Sequence, residues 1–166
     1  MRNKVAEKIT HACLEQLESL SLLLASDFTG GPHLFYKLNV YAVSRAYGSF
    51  SSAFRLLVSK DNARSKHQNA RYFDVDYYVT HSSDSLERVK LKLLTRNVKW
   101  SEHFVSLIDD ESRLNDALNF IINQYGLSHE NPHFDMNIKL LVTNYKIVIE
   151  LLEMIDSAIN QALDHD

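Results

Sequence analysis

Two residues in the middle of the chain, Arg96 and His103, have the chemical types that could support metal-independent RNA cleavage. Arg96 and Asn97 are adjacent, and His103 lies seven positions after Arg96. On one continuous helix seven residues make almost two turns, so the Arg96 and His103 side chains would point within roughly 20° of each other. A histidine transfers protons near neutral pH, and a fixed cation stabilises a phosphate, so the 2′-hydroxyl of RNA could attack without a metal. The alternative interpretation is that both side chains lie at the boundary of the core and bond to their neighbours.

The order and spacing of Arg96, Asn97 and His103 resemble the motif of ribonucleases of the HEPN superfamily. In that motif an arginine is followed by a polar residue and then by a histidine, with four to six residues between arginine and histidine; here there are six. The resemblance implies a small all-α protein that dimerises with the motif in a shared cleft, and a role in toxin–antitoxin or phage-defence systems. Val105 stands where these proteins frequently carry a tyrosine.

Other catalytic and metal-binding patterns are weaker. Glu7, His11 and Glu15 have the i, i+4 spacing of metal ligands, but they lie off the apolar stripe of their helix and are expected on a solvated face. The sequence Glu130 to His133 is interrupted by a proline, and no second pair of this kind exists, which excludes a di-iron site. No glycine-rich phosphate loop or Gly-x-Ser-x-Gly elbow is present. We therefore expect neither a cofactor nor a metal.

The elements that would position these residues are helices. Apolar residues recur at every third or fourth position over most of the chain, which is the period of amphipathic helices. The predicted helices cover residues 4–25, 33–58, 85–108, about 111–125 and about 131–160. Asp109-Asp110-Glu111, between the third and the fourth, marks either a kink in one helix or the start of a new one. The third of them would carry the Arg96 to His103 motif. Gly126 is expected to end the fourth helix, and Asn131-Pro132 to begin the last.

The spacing of apolar residues also predicts how the helices pack. The second helix has a large aromatic face and a smaller alanine and serine face, so it should be central and closely approached by a neighbour. The stripe of the last helix runs unbroken from Ile138 to Ile159, and a long strip of this kind predicts a dimer. Cys13 lies on the stripe of the first helix and is expected to be a buried, inert thiol. The expected fold is a single all-α domain, an up-and-down bundle of four to five helices.

Residues 59–83 interrupt the helical period and form a long, partly irregular connection. A connection of this length is expected to be exposed and mobile. Its first half is basic, and the cations there could contact nucleic acid: Lys60, Arg64, Lys66 and Arg71.

Composition and charge set the protein class. The chain has 166 residues, of which 45% are apolar and 23% charged, typical of a globular domain; its 4 Gly and 2 Pro disfavour β-sandwiches and Rossmann enzymes. The single cysteine excludes an internal disulfide, and the first residues lack the apolar core of a signal peptide, so a microbial cytoplasm is expected.

Charge is distributed unevenly along the chain. Residues 1–103 carry 15 basic and 10 acidic residues, whereas residues 104–166 carry 3 basic and 11 acidic residues. Such an asymmetry could orient a partner or pair two copies, or the two ends could simply pack together.

These observations leave three functional hypotheses. The first is a non-enzymatic helical protein of the accessory, immunity or regulatory type, which binds another macromolecule, including a second copy of itself. The second is the HEPN-like ribonuclease. The third is nucleic-acid binding through the basic segment at residues 60–71.

Overall fold

The protein is a packed helical bundle in a computed structural model that describes residues 1–25, 29–59 and 85–164. Six α-helices and no strands occur in these ranges. The helices are α1 (Lys4–Ala25), α2 (Gly31–Val58), α3 (Ser85–Arg96), α4 (Val98–Leu107), α5 (Glu111–Glu130) and α6 (Ile138–Asp164). The all-α prediction and the long C-terminal helix are confirmed. None of the helices described is long and apolar enough to cross a membrane.

The second helix is central, as its two apolar faces predict. It packs on α1, α5 and α6, and its side chains are buried on both the aromatic and the small-residue face from Ala42 to Val58. The small-residue face lets α1 approach α2 closely. At this contact the Ser49 hydroxyl donates a hydrogen bond to the backbone carbonyl of Ile9 across 3.3 Å. Tyr47, on another side of α2, stacks on Tyr125 of α5 with ring centroids 4.1 Å apart.

The sixth helix is also central, and the chain itself covers its apolar stripe. It packs on α1, α2, α4 and α5. Every stripe residue is buried: Ile138, Leu141, Tyr145, Val148, Leu152, Ile155 and Ile159. The length of this stripe therefore provides no argument for a dimer, because helices of the same chain exclude water from it.

The helix count of four to five was too low, because the helix predicted over residues 85–108 is two helices. Asn97 separates α3 from α4 with an extended backbone, φ −159° and ψ 124°. Its side-chain oxygen accepts a hydrogen bond from the backbone N–H of Lys99 at 2.9 Å. Asparagine is among the best N-cap residues, and this local bond starts a new helix at Val98.

Two other predicted helix ends were wrong, one because of a tertiary contact and one because of a local cap. Gly126 does not end α5, because Tyr125 and His129 in the last turns contact each other edge to face and Tyr125 also stacks on α2. The last helix begins at Ile138 instead of Asn131-Pro132. Asn137 provides its cap, accepting from the backbone N–H groups of Lys139 and Leu140.

The buried face of α1 agrees with the apolar spacing at Cys13 and Leu17 but is shifted by one residue at its start. The spacing places Val5 and Ile9 on the apolar stripe, whereas Val5 is mostly exposed and Ala6 and Thr10 are fully buried. Thr10 is buried without loss of hydrogen bonding, since its hydroxyl donates to the carbonyls of Ala6 and Glu7. Sequence patterns rank residues by hydropathy, whereas a closely packed position also accepts a small alanine or a threonine whose hydroxyl bonds to its own helix.

Candidate functional site

The residues of the predicted ribonuclease motif lie on either side of the α3 to α4 break. Arg96 is the last residue of α3, Asn97 joins the helices, and His103 is in α4. All three are half-buried. The angular relation expected on one continuous helix does not apply, since the backbone is extended at Asn97. Asn97 also has a structural role, because its side-chain oxygen caps α4.

Arg96 belongs to a row of three cations on one side of α3. Arg88, Lys92 and Arg96 are four residues apart and all are half-buried. Burial, and then the nearby charge of Arg96, lower the pKa of the Lys92 ammonium. Within the described residues, Arg96 has no carboxylate partner, and one buried guanidinium nitrogen of Arg88 has no hydrogen-bond partner. A row of closely spaced cations suits an oxyanion such as a phosphate group.

The other predicted candidates form no metal site in the described ranges. Glu7 pairs with Lys4 across 2.8 Å, and this hydrogen bond lowers the pKa of the Glu7 carboxyl. The two residues predicted to share a metal site with Glu7 are His11 and Glu15, and both are exposed. His129 contacts the ring of Tyr125. No group of three or more His, Cys, Asp or Glu side chains in the described residues is arranged to hold a metal.

The basic residues predicted to contact nucleic acid lie outside the described residues. They are Lys60, Arg64, Lys66 and Arg71, in the connection between α2 and α3. The predicted irregularity and mobility of residues 60–83 concern the same part of the chain.

Cys13 is a buried thiol in a small polar cluster between α1, α2 and α6. Its sulfur is 3.4 Å from the carbonyl oxygen of Arg45, and the Tyr145 hydroxyl donates to the Ser49 hydroxyl at 2.7 Å nearby. Burial raises the pKa of the Cys13 thiol and of the Tyr145 hydroxyl. Both groups are therefore neutral at physiological pH, and a neutral buried thiol is a poor nucleophile. The prediction of a buried thiol is confirmed.

A surface that the sequence patterns did not single out lies along α1 and α2, facing away from the bundle. We call it the outer face; it comprises Glu15, Gln16, Ser19, Leu20 and Leu23 of α1 and Leu34, Lys37, Tyr41 and Arg45 of α2. A cleft of about 430 Å³ lies between the helices here, lined by Glu15, Gln16, Ser19, Leu20 and Tyr41. Leu23, Leu34 and Tyr41 are 48%, 44% and 47% exposed, which is high for large apolar side chains.

The helical periods explain why these side chains share one face. Leu23 is seven residues after Gln16 on α1, and Leu34 is seven residues before Tyr41 on α2, so each pair points to the same side of its helix. A sequence signal existed in the run Leu22-Leu23-Leu24, because consecutive leucines in a helix cannot all face one core. Leu22, in the same run, is also largely exposed.

On the outer face the acidic side chain belongs to α1 and the basic side chains belong to α2. Glu15 lies on the α1 side, whereas Lys37 and Arg45 lie on the α2 side, and all three are exposed. The Nε–H of Arg45 donates to the side-chain oxygen of Gln16 at 3.1 Å, which sets the register between the two helices.

Comparison with known proteins gives no relative from which a function could be carried over. No protein-family model matches the chain, no curated protein is significantly similar to it, and no solved structure matches its fold significantly.

Proposed function

We propose that this protein acts by binding another protein, and that the outer face of α1 and α2 is the binding surface. The observation that carries the proposal is the open cleft lined by half-exposed Tyr41, together with the half-exposed Leu23 and Leu34 on the same sides of α1 and α2. Contiguous apolar surface rimmed by polar residues is characteristic of protein interaction sites, and tyrosine is enriched at their centres. Glu15, Lys37 and Arg45 provide such a polar rim. The role is that of an accessory, immunity or regulatory protein and requires no catalysis by the chain.

Site-specific photocrosslinking tests this proposal. Tyr41 is replaced by the photoreactive residue p-benzoylphenylalanine in the cells that naturally make the protein, and the cells are irradiated. The same replacement at Leu127 of α5 is a matched control, because Leu127 is also 47% exposed but lies outside the outer face. We expect one discrete covalent adduct from position 41 and none from position 127. The absence of an adduct from position 41, or equal adducts from both positions, would contradict the proposal.

The row of cations on α3 supports a second candidate function, metal-independent RNA cleavage at Arg96, Asn97 and His103. In this proposal Arg96 and Lys92 bind the scissile phosphate, and His103 accepts the proton of the 2′-hydroxyl as that oxygen attacks the phosphorus. The bond from phosphorus to the 5′-oxygen breaks, the 5′-oxygen takes a proton from solvent, and a 2′,3′-cyclic phosphate is left. The observation that favours it is the row of half-buried cations Arg88, Lys92 and Arg96, in which the charge of Arg96 lies close enough to lower the pKa of the Lys92 ammonium.

The His103→Ala variant tests this second candidate. If His103 is catalytic, the variant should lose RNA cleavage measured in the presence of a metal chelator, while its Tm stays that of the wild type. His11→Ala is the control, because His11 is an exposed histidine on another helix. A structural role for His103 would instead destabilise the variant by roughly 1–3 kcal/mol, with no RNA cleavage by the wild type. That result would exclude the ribonuclease.

A further inference from the structure

We infer that the partner bound at the outer face is a second copy of this chain, related by a two-fold axis that runs parallel to α1 and α2. The inference rests on the proposed function and specifies its partner. In this arrangement α1 of each copy lies on α2 of the other. Glu15 then faces Arg45 of the partner subunit, once on each side of the axis.

The register between α1 and α2 supplies the geometry. The helices are antiparallel, with Gln16 beside Arg45 and Leu20 at the same cleft as Tyr41. Rotation about a two-fold axis parallel to the helices places α1 of one copy over α2 of the other and leaves the position of each residue along the axis unchanged. Two residues that lie side by side on α1 and α2 of one chain therefore also face each other across the interface. Leu20 consequently contacts Tyr41 of the partner subunit, which covers this exposed tyrosine in both copies.

The charge pattern selects this axis over the other two-fold arrangement. With the axis along the helices, Glu15 of each copy faces Arg45 of the partner subunit, so both contacts join opposite charges. An axis across the helices would lay α1 on α1 and α2 on α2, and Glu15 would then no longer meet Arg45. Only the first arrangement makes both of these contacts.

Arg45 can make the intermolecular contact while keeping its bond to Gln16. Among the described residues the Arg45 side chain uses only its Nε–H, and a guanidinium has five N–H donors. The row of Arg88, Lys92 and Arg96 on α3 behaves differently, because a surface with three charges of one sign cannot pair with a copy of itself. Of these two surfaces, only the outer face is self-complementary.

Charge reversal followed by mixing tests the inference, with mass measured by sedimentation. The wild type is expected to be a dimer. Glu15→Arg places two arginines opposite each other at both contacts, and Arg45→Glu places two glutamates there, so each variant alone should dissociate roughly tenfold more readily or worse. An equimolar mixture of the two variants should form a heterodimer with close to wild-type affinity, because both contacts then join opposite charges. Glu130→Arg, at an exposed residue of α5, is the control and should leave the mass unchanged.

The outcomes separate this inference from the proposed function. A wild-type monomer, or variants whose dimers are unaffected or are not restored by mixing, would overturn the two-fold arrangement. A crosslinked adduct from position 41 of a mass other than twice that of the chain would overturn it as well, although the outer face would still bind a protein. A crosslinked adduct of twice the chain mass supports the inference without any change of charge. Far-ultraviolet circular dichroism of each charge variant checks that the variant is folded.

Discussion

Replacing Leu152 with alanine is expected to lower the free energy of unfolding by about 2–5 kcal/mol, the range for a large side chain deleted from a packed core. Leu152 is fully buried on α6, where the chain's own helices surround the stripe. A cavity there removes apolar contacts that the folded monomer needs. Chemical denaturation monitored by circular dichroism measures the change.

The dependence of this loss on protein concentration distinguishes two roles for the α6 stripe. Because the stripe is internal to one chain, the destabilisation of Leu152→Ala should be the same at low and high protein concentration. Leu127→Ala, at an exposed leucine, should change stability by no more than about 0.5 kcal/mol. A loss that grows on dilution would place the stripe in a dimer interface and contradict the fold described above.

The second large effect concerns alkylation of Cys13, which should be roughly 1000-fold slower in the folded protein than in urea. The thiol is fully buried, and its pKa is raised by burial. Alkylation therefore has to wait for an opening of the bundle, and an opening that costs about 4 kcal/mol reduces the reactive population by that factor. Iodoacetamide labelling followed by mass spectrometry measures both rates. A native rate close to that of the unfolded protein would show that the thiol is accessible.

The same burial gives a pH dependence with a definite sign. The ordinary pKa of the thiol is 9.0, and the folded value is higher. Below the ordinary value the thiol is neutral in both states, so its contribution to stability is constant. As pH rises above it, the unfolded state loses the proton first, and the folded protein should lose up to about 1.4 kcal/mol per pH unit. Cys13→Ala should remove this part of the alkaline loss; an unchanged slope between about pH 8 and about pH 10 would contradict the assignment.

The sequence predicted the helices more reliably than their ends. Apolar spacing located α1 and the central α2, because burial of one or two faces is a local periodic property. It failed at Asn97, where one side-chain hydrogen bond outweighs the continuing apolar period, and at Gly126, where stacking on α2 holds the last turns of α5. Helix ends depend on such single contacts, which a period does not encode.

The candidate surfaces differ in how far the sequence could show them. The Arg96 to His103 motif was visible because it is defined by residue types and spacing. The outer face was not, since it depends on which leucines remain after α1 packs on α2 and α6. From the sequence alone Leu20 could face either the core or solvent, because the orientation of α1 about its own axis depends on its packing. The register of Gln16 with Arg45, which gives the face its self-complementary charges, exists only in three dimensions.

The mass of the wild-type protein in solution tests the central claim most directly, namely that the outer face is a binding surface occupied by a second copy. Sedimentation equilibrium at micromolar concentrations should give about twice the chain mass of 19.1 kDa, decreasing towards the chain mass on dilution. A mass of 19.1 kDa at every concentration would contradict the claim.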